Sequence, residues 1–241
     1  MRLSESIRLT LVGTVHRDIR GTERLLSLLR TLRPDIITLE MSEWALKYRR
    51  GEALVQLKRL EHLLDLLAAD LLRNRQELDR HPTVADIRLL LELPFEYQAV
   101  SIYGREKGIP LHLIDRSDIS AAKLRKVSTE LITYSNLKVL VTIPSGEERS
   151  AAETIRVARR LVRDEADVVL CRAFLRARRG KEEIGPRDRH MAGKIRGLIK
   201  GNPGRHLVHI GGWVHLVEDE QGETLFSLMA DLEPRRMLLT Q

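Results

Sequence analysis

Two short stretches near opposite ends of the sequence repeat one pattern, Gly13-Thr14-Val15-His16 and Gly212-Trp213-Val214-His215. Each places an imidazole three residues after a glycine. Neutral imidazole is the commonest metal ligand and the natural proton carrier near neutral pH. Carboxylates stand at comparable points. Glu40 directly follows Ile36-Ile37-Thr38-Leu39, Asp115 directly follows Leu111-His112-Leu113-Ile114, and Glu96 lies two residues after Pro94. An acid directly after an apolar run is costly to bury alone. Glu40 therefore either pairs with a cation, such as Arg49 or Arg50, or faces a cleft. The same argument holds for Asp115, with Arg116 beside it as the local partner. Glu96 also suits the first turn of a helix, where the dipole favours a carboxylate. Arg187 sits at a helix start, where a cation is disfavoured, so it points to a nearby anion: Asp188, a site carboxylate or a substrate. Two histidines with these acids suit two chemistries. One is a divalent metal holding an activated water, with a coordination position left open. The other is a metal-free His/Glu acid–base pair. An arginine supports a developing oxyanion in either.

These residues need strands to deliver them. Leu9-Thr10-Leu11-Val12 and Leu207-Val208-His209-Ile210-Gly211 are short apolar runs bounded by glycine, the pattern of buried strands. In an open α/β sheet, ligands bind beyond the carboxyl ends of the strands. Strands are thus expected at 8–12, 36–39, 111–114 and 206–211, with an edge strand at 237–239. The first two, with an amphipathic helix at 22–32 capped by Thr22, form a parallel strand–helix–strand unit. From residue 43 the alternation breaks. A short helix at 43–50, a long Leu-rich helix at 52–79 and another at 83–93 read as a helical insertion, which either covers one side of the sheet near the site or serves self-association. Pro94 opens a further helix. Helices are expected at 119–134, capped by Ser117 or Asp118, at 146–165, capped by Ser145, at 186–200 and at 222–231. Residues 136–143 and 166–170 fit either a strand or a helix, and 176–181 read as a basic turn. The fold expected is α/β, a mostly parallel central sheet flanked by helices, in one domain spanning 1–241 with the insertion at 43–93.

The 241 residues, 43% of them hydrophobic, suffice for a substantial core. The single cysteine, Cys171, excludes an intrachain disulfide and fits a reducing, cytoplasmic setting. It lies in an apolar run and reads as a packing residue. No apolar stretch reaches about 18 residues and no signal core follows Met1, so neither a membrane span nor a leader is expected. The formal charge of +7 raises the question of nucleic acid. The basic residues are interleaved with acids, however, and aromatics are only 4%, too few for a stacking platform. Of the other histidines, His112 and His209 lie inside strands and read as core, while His62, His81, His190 and His206 read as surface. There is no Walker loop, GxGxxG, GxSxG or HExxH.

Six segments, in order, resemble the TraB/PrgY-like family (TraB/PrgY/GumN, TIKI-related), within the wider group of ChaN-like and erythromycin-esterase-like proteins. They are the two Gly-x-x-His loops, Pro34–Glu40, Pro94–Ala99, Ile109–Arg116 and Arg187–Met191. In that family a Glu often precedes the Arg-Asp/Asn pair; here the position is Pro186. The resemblance implies an α/β fold with acids gathered round both Gly-x-x-His motifs. From the TIKI branch it implies metal-dependent proteolysis, and from the PrgY branch interference with a peptide pheromone. By position, the site residues it implies are His16, Glu40, Glu96, Arg187 and His215, with Asp115 beside them.

The expectation that follows is a metal-dependent hydrolase of peptidase or amidase type. His16 and His215 would hold Mn, Co, Fe or Zn with Glu96 or Glu40, and the remaining carboxylate would act as base. Two alternatives stay open: a regulatory protein that binds a peptide or small ligand without turnover, and a metal-free esterase-like hydrolase. The partners expected are a peptide or small-molecule substrate, and a second copy through the helical insertion.

Overall fold

The computed structural model describes residues 8–239, apart from 17, 19, 144–150, 164–165 and 183. In chain order the elements are β1 (Arg8–Thr14), α1 (Gly21–Leu32), β2 (Ile36–Leu39), α2 (Glu43–Arg50), α3 (Glu52–Asp70), α4 (Arg75–Asp79), α5 (Pro82–Leu91), α6 (Phe95–Lys107), β3 (Leu111–Leu113), α7 (Ser117–Lys126), α8 (Tyr134–Thr142), α9 (Ala151–Val162), α10 (Val168–Glu182), α11 (Pro186–Gly201), β4 (His206–Gly212), α12 (Leu225–Leu228) and β5 (Arg235–Leu238). They fall into two units. The first comprises residues 1–41, 95–115 and 150–241, and the second 42–94 and 116–149.

The first unit is an α/β fold on one five-stranded sheet, ordered β3-β2-β4-β1-β5, with every pairing parallel. β1 and β4 are buried nearly end to end, the run expected of strands covered on both faces. Their buried polar side chains are satisfied across the sheet. Thr10 Oγ1 lies 2.9 Å from His206 Nε2, and Thr38 Oγ1 lies 3.0 Å from His209 Nδ1. His206 is therefore a buried sheet residue, not the surface position expected. β1 and β2 are parallel members of one sheet, but β4 lies between them. That insertion makes β4 the neighbour of both β1 and β2, the strands that lead to His16 and Glu40.

The second unit is helical. Leu60, Leu64 and Leu67 of α3, Val84, Ile87 and Leu91 of α5, and Leu137 and Val141 of α8 are buried at helical spacing. The expected 52–79 helix is two helices. Leu72 adopts a left-handed φ of 50° after α3 ends, and the Asn74 side chain caps α4 by accepting the Gln76 N–H at 2.8 Å.

Several other boundaries differ from expectation. Thr22 lies inside α1, whose N-cap is Arg20, and Ser117 and Asp118 lie inside α7, whose N-cap is Arg116. The 119–134 segment runs as α7 and then a π turn, Val127–Leu131. Residues 136–142 are helical in α8, capped by the Thr133 hydroxyl, and Ile143 is its extended C-cap. Residues 166–170 lead into α10, with Asp167 Oδ1 accepting the N–H groups of Val169 and Leu170. The expected basic turn at 176–181 is helix: Cys171 and Leu175 at i, i+4 spacing bury one face of α10, and arginine favours the helix. The expected helix at 222–231 shortens to α12 and a 3-10 turn, Ala230–Leu232. Ser145 lies outside the described residues. No helix among the described residues is long and apolar enough to cross a membrane.

Candidate active site

The register of the sheet brings the two Gly-x-x-His loops together. Thr14 at the end of β1 stands opposite Gly212 at the end of β4, and Leu39 at the end of β2 stands opposite Ile210. Just beyond the ladder, the Glu40 N–H donates to the Ile210 carbonyl at 2.9 Å, and the Asp115 N–H donates to the Met41 carbonyl at 3.2 Å. His16, Glu40, Asp115 and His215 thus emerge from four adjacent strand ends. Gly211 and Gly212 leave the room they need. A Cβ on Gly211 would lie 2.7 Å from Glu40 Oε2, and one on Gly212 would lie 3.3 Å from His16 Nε2 and 3.7 Å from His215 Cδ2.

Each site histidine is held at Nδ1 by a carboxylate from a different helix. His16 Nδ1 lies 2.7 Å from Glu96 Oε1, in the first turn of α6, and the Thr14 hydroxyl donates to the same oxygen at 2.7 Å. His215 Nδ1 lies 2.8 and 2.9 Å from the two oxygens of Asp188, at the start of α11. Asp188 is fixed in turn: it accepts the Leu225 N–H at 2.6 Å and the Gly185 N–H at 3.4 Å. Gly185 has φ 98°, a backbone shape that favours glycine. His215 Nε2 lies 3.1 Å from Glu40 Oε1, whereas the His16 side chain is 64% exposed and presents Nε2 away from Glu96.

Arg187 ties the acids together. Its Nε and Nη2 donate to the two oxygens of Asp115 at 3.0 and 2.8 Å, and Nη2 also donates to Glu40 Oε1 at 2.6 Å. The second oxygen of Glu40 accepts the Gly212 N–H at 2.6 Å. Glu40 thus pairs with Arg187, a cation 147 residues away in the chain.

Charge sets the protonation of this cluster. Burial disfavours a charged ring at His215, but Glu40 and Asp188 outweigh it and raise its pKa to about 10. Desolvation against the protein likewise opposes the charged form of His16, and Glu96 reverses this, raising it to about 9. Burial pushes the Glu40 carboxyl up, yet His215 and Arg187 hold it well below the usual range. At Glu96 burial also pushes up, and His16 and Thr14 bring the pKa below its ordinary value. His209 is the opposite case. Burial lowers its pKa to about 4, so it is neutral near pH 7.

All six residues singled out in the sequence lie in this one cluster. Two of them make contacts that bear on the roles expected of them. Glu96 binds the second nitrogen of His16, and its Oε2 is buried without a hydrogen bond. Arg187 contacts two site carboxylates, one of the kinds of partner expected for it, so any contribution to an oxyanion is made from that clamp. Three participants went unassigned. Asp188 stands out in sequence only as a neighbour of Arg187. Thr14 lies within the first motif itself. His209, read correctly as buried, has an unpartnered Nε2 that would lie 2.9 Å from a Cβ on Gly211. Among the described residues, no three His, Cys, Asp or Glu side chains are arranged round one point as a metal set.

Gly211→Ala tests how tightly the strand end is packed. The new methyl must displace Glu40, and the expected cost is about 1–3 kcal/mol of unfolding free energy. Urea denaturation checks this, and a midpoint equal to wild type would contradict the close approach. Turning to known proteins, no family model matches the chain, and neither a curated protein nor a solved structure matches it significantly.

Proposed function

We propose that the chain is a hydrolase of peptidase or amidase type, with His16, His215 and Glu40, which do not converge on one point as they stand, closing round a divalent metal ion when it binds. The observation that supports this most is the pair of imidazoles brought together over Gly212, each anchored at Nδ1 by its own carboxylate. A metal-binding histidine typically gives its other ring nitrogen to a carboxylate in this way. The donors also fit a cation by charge. The cluster holds four acids, Glu40 and Asp115 on Arg187, Asp188 on His215 and Glu96 on His16, against one permanent cation, Arg187, and the raised pKa values of His16 and His215 mean that two protons make up part of the deficit. A divalent ion replaces those two charges.

When bound, such an ion supplies an acidified water and polarises a carbonyl. The chain's own residues do the rest. Glu96 and Thr14 fix the His16 ring, Asp188 fixes the His215 ring, and Arg187 keeps Glu40 ionised and aimed.

A second reading rests on the open Nε2 of His16. With its pKa raised to about 9, His16 carries a proton at neutral pH and can donate it to a leaving group in a metal-free hydrolysis. One experiment separates the two. Protein purified without chelator or His tag is assayed for metal and for turnover of a fluorogenic peptide pool, wild type beside His16→Ala. About one equivalent of Mn, Co, Fe or Zn, lost in the variant together with turnover, supports the metal reading. Turnover that survives exhaustive chelation but not His16→Ala supports the metal-free reading. Peptide binding with no turnover in metal-soaked wild type overturns both.

A further inference from the structure

The opposite end of the same sheet, where β2, β3 and β4 begin, holds a cavity of about 830 Å³. That volume is typical of a small-molecule site. Four cations stand round it, Arg30, Arg33, Lys107 and Arg205, against one acid, Asp35. Asp35 is already committed to the fold. It accepts the His206 N–H at 2.8 Å and Arg205 Nη1 at 3.1 Å, and these contacts hold its carboxyl below the usual range. Arg30 meets Glu106 at 3.3 Å in an exposed pair, a kind that contributes little. Among the described residues neither Arg33 nor Lys107 has an ion pair.

The wall of the cavity adds a second observation. Tyr103 is 2% exposed and lines the cavity, yet its hydroxyl makes no hydrogen bond among the described residues. It lies in the field of Arg33 and Arg30. The hydroxyl oxygen is not sealed from solvent, so it is open to a partner in the cavity. Around it, Pro34, Ile36, Ile109 and Pro110 give an apolar lining. The C-terminal ends of α1 and α6 attract cations, and that accounts for Arg33 and Lys107 as helix-end residues. It explains neither the unpartnered hydroxyl nor the apolar lining beside it.

We propose that this cavity binds a phosphate monoester carrying a compact apolar or aromatic body. Arg33, Lys107 and Arg205 face the phosphate, the Tyr103 hydroxyl donates to one of its oxygens, and the body rests on Ile36 and the two prolines. A phosphate offers three strong acceptor oxygens and close to two negative charges, enough to engage several cations and the hydroxyl together. A carboxylate is satisfied by one arginine fork.

Titration calorimetry with phenyl phosphate, phenol, benzoate and inorganic phosphate tests this. Phenyl phosphate is expected to bind about tenfold or more tighter than each of the other three. Arg33→Asn, chosen because asparagine tolerates the left-handed φ of 48° at that position, and Tyr103→Phe should each weaken it about fivefold or more. His16→Ala should bind it as wild type does, since that residue lies at the other end of the sheet. Should Tyr103→Phe fail to fold, the exposed Arg33→Asn carries the test alone. The proposal is overturned if wild type does not bind phenyl phosphate, if inorganic phosphate binds equally well, or if Arg33→Asn changes nothing. It is also overturned if His16→Ala abolishes binding, or if a DNA duplex competes with a steep salt dependence, which would make the cations a backbone contact.

Discussion

Arg187→Met is expected to lower the unfolding free energy at pH 7 by about 3–5 kcal/mol, the usual cost of removing one partner from a buried ion pair. The substitution roughly preserves the length of the side chain, so little of the loss is packing. What remains is Glu40 and Asp115, each with a side chain only 7% exposed, facing one another without the guanidinium that bridged them. Neutralising the acids should return most of the loss. The triple variant Arg187→Met/Glu40→Gln/Asp115→Asn should be closer to wild type than the single one, because the cost lies in uncompensated charge and not in the missing contacts. Denaturant unfolding of the three proteins checks this. A single variant within about 1 kcal/mol of wild type would mean that the acids find water or other cations, and that Arg187 is not their main counter-charge.

This clamp also shows what was legible in the sequence. The α/β fold is visible because each central strand is a short, nearly continuous apolar run ending in glycine or an acid, a pattern with few other structural solutions. Glu40 and Asp115 are legible for the same reason, since a charge at the end of a buried run must be answered. Which cation answers Glu40 is not, because Arg49 and Arg50 are near in sequence and Arg187 is near only in space. The order β3-β2-β4-β1-β5 is equally hidden: nothing local says that β4 inserts between β1 and β2. Without that insertion the two Gly-x-x-His loops would not face each other. Asp188 is masked by Arg187, its neighbour in the chain and the obvious partner for a cation at a helix start, whereas the fold aims the two side chains at different groups. The 176–181 segment misleads for another reason. Its arginines and glycine resemble a loop, but α10 is defined by the buried residues one and two turns earlier.

The metal-free protein is expected to be most stable near pH 6.5 and to weaken on both sides, through two histidines with opposite shifts. The pKa of His215 is raised from 6.5 to about 10 in the folded state, so its contribution is complete below pH 6.5 and is lost as pH rises towards 10. His16, raised to about 9, acts in the same direction but contributes less, because its side chain is 64% exposed and solvent screens its pairing with Glu96. His209 is lowered from 6.5 to about 4, so below pH 6.5 the unfolded chain takes up a proton that the folded chain refuses, and stability falls until about pH 4. One fully shifted group gives a slope of about 1.4 kcal/mol per pH unit. After allowance for the coupling of His215 to Glu40 and Asp188, the alkaline limb should cost about 2–4 kcal/mol between pH 6.5 and 9.5. His215→Gln should remove most of that limb, leaving the smaller part that His16 contributes, and spare the acid limb; His209→Gln should remove the acid limb and spare the alkaline one. Loading with a divalent ion gives a further discriminating sign. A metal held by the imidazoles must displace their protons, so its affinity should rise with pH over the range in which the metal-free protein weakens. An alkaline limb undiminished by His215→Gln would mean that the imidazolium between Glu40 and Asp188 does not set the stability of this site. A metal affinity independent of pH would separate the ion from the two histidines altogether.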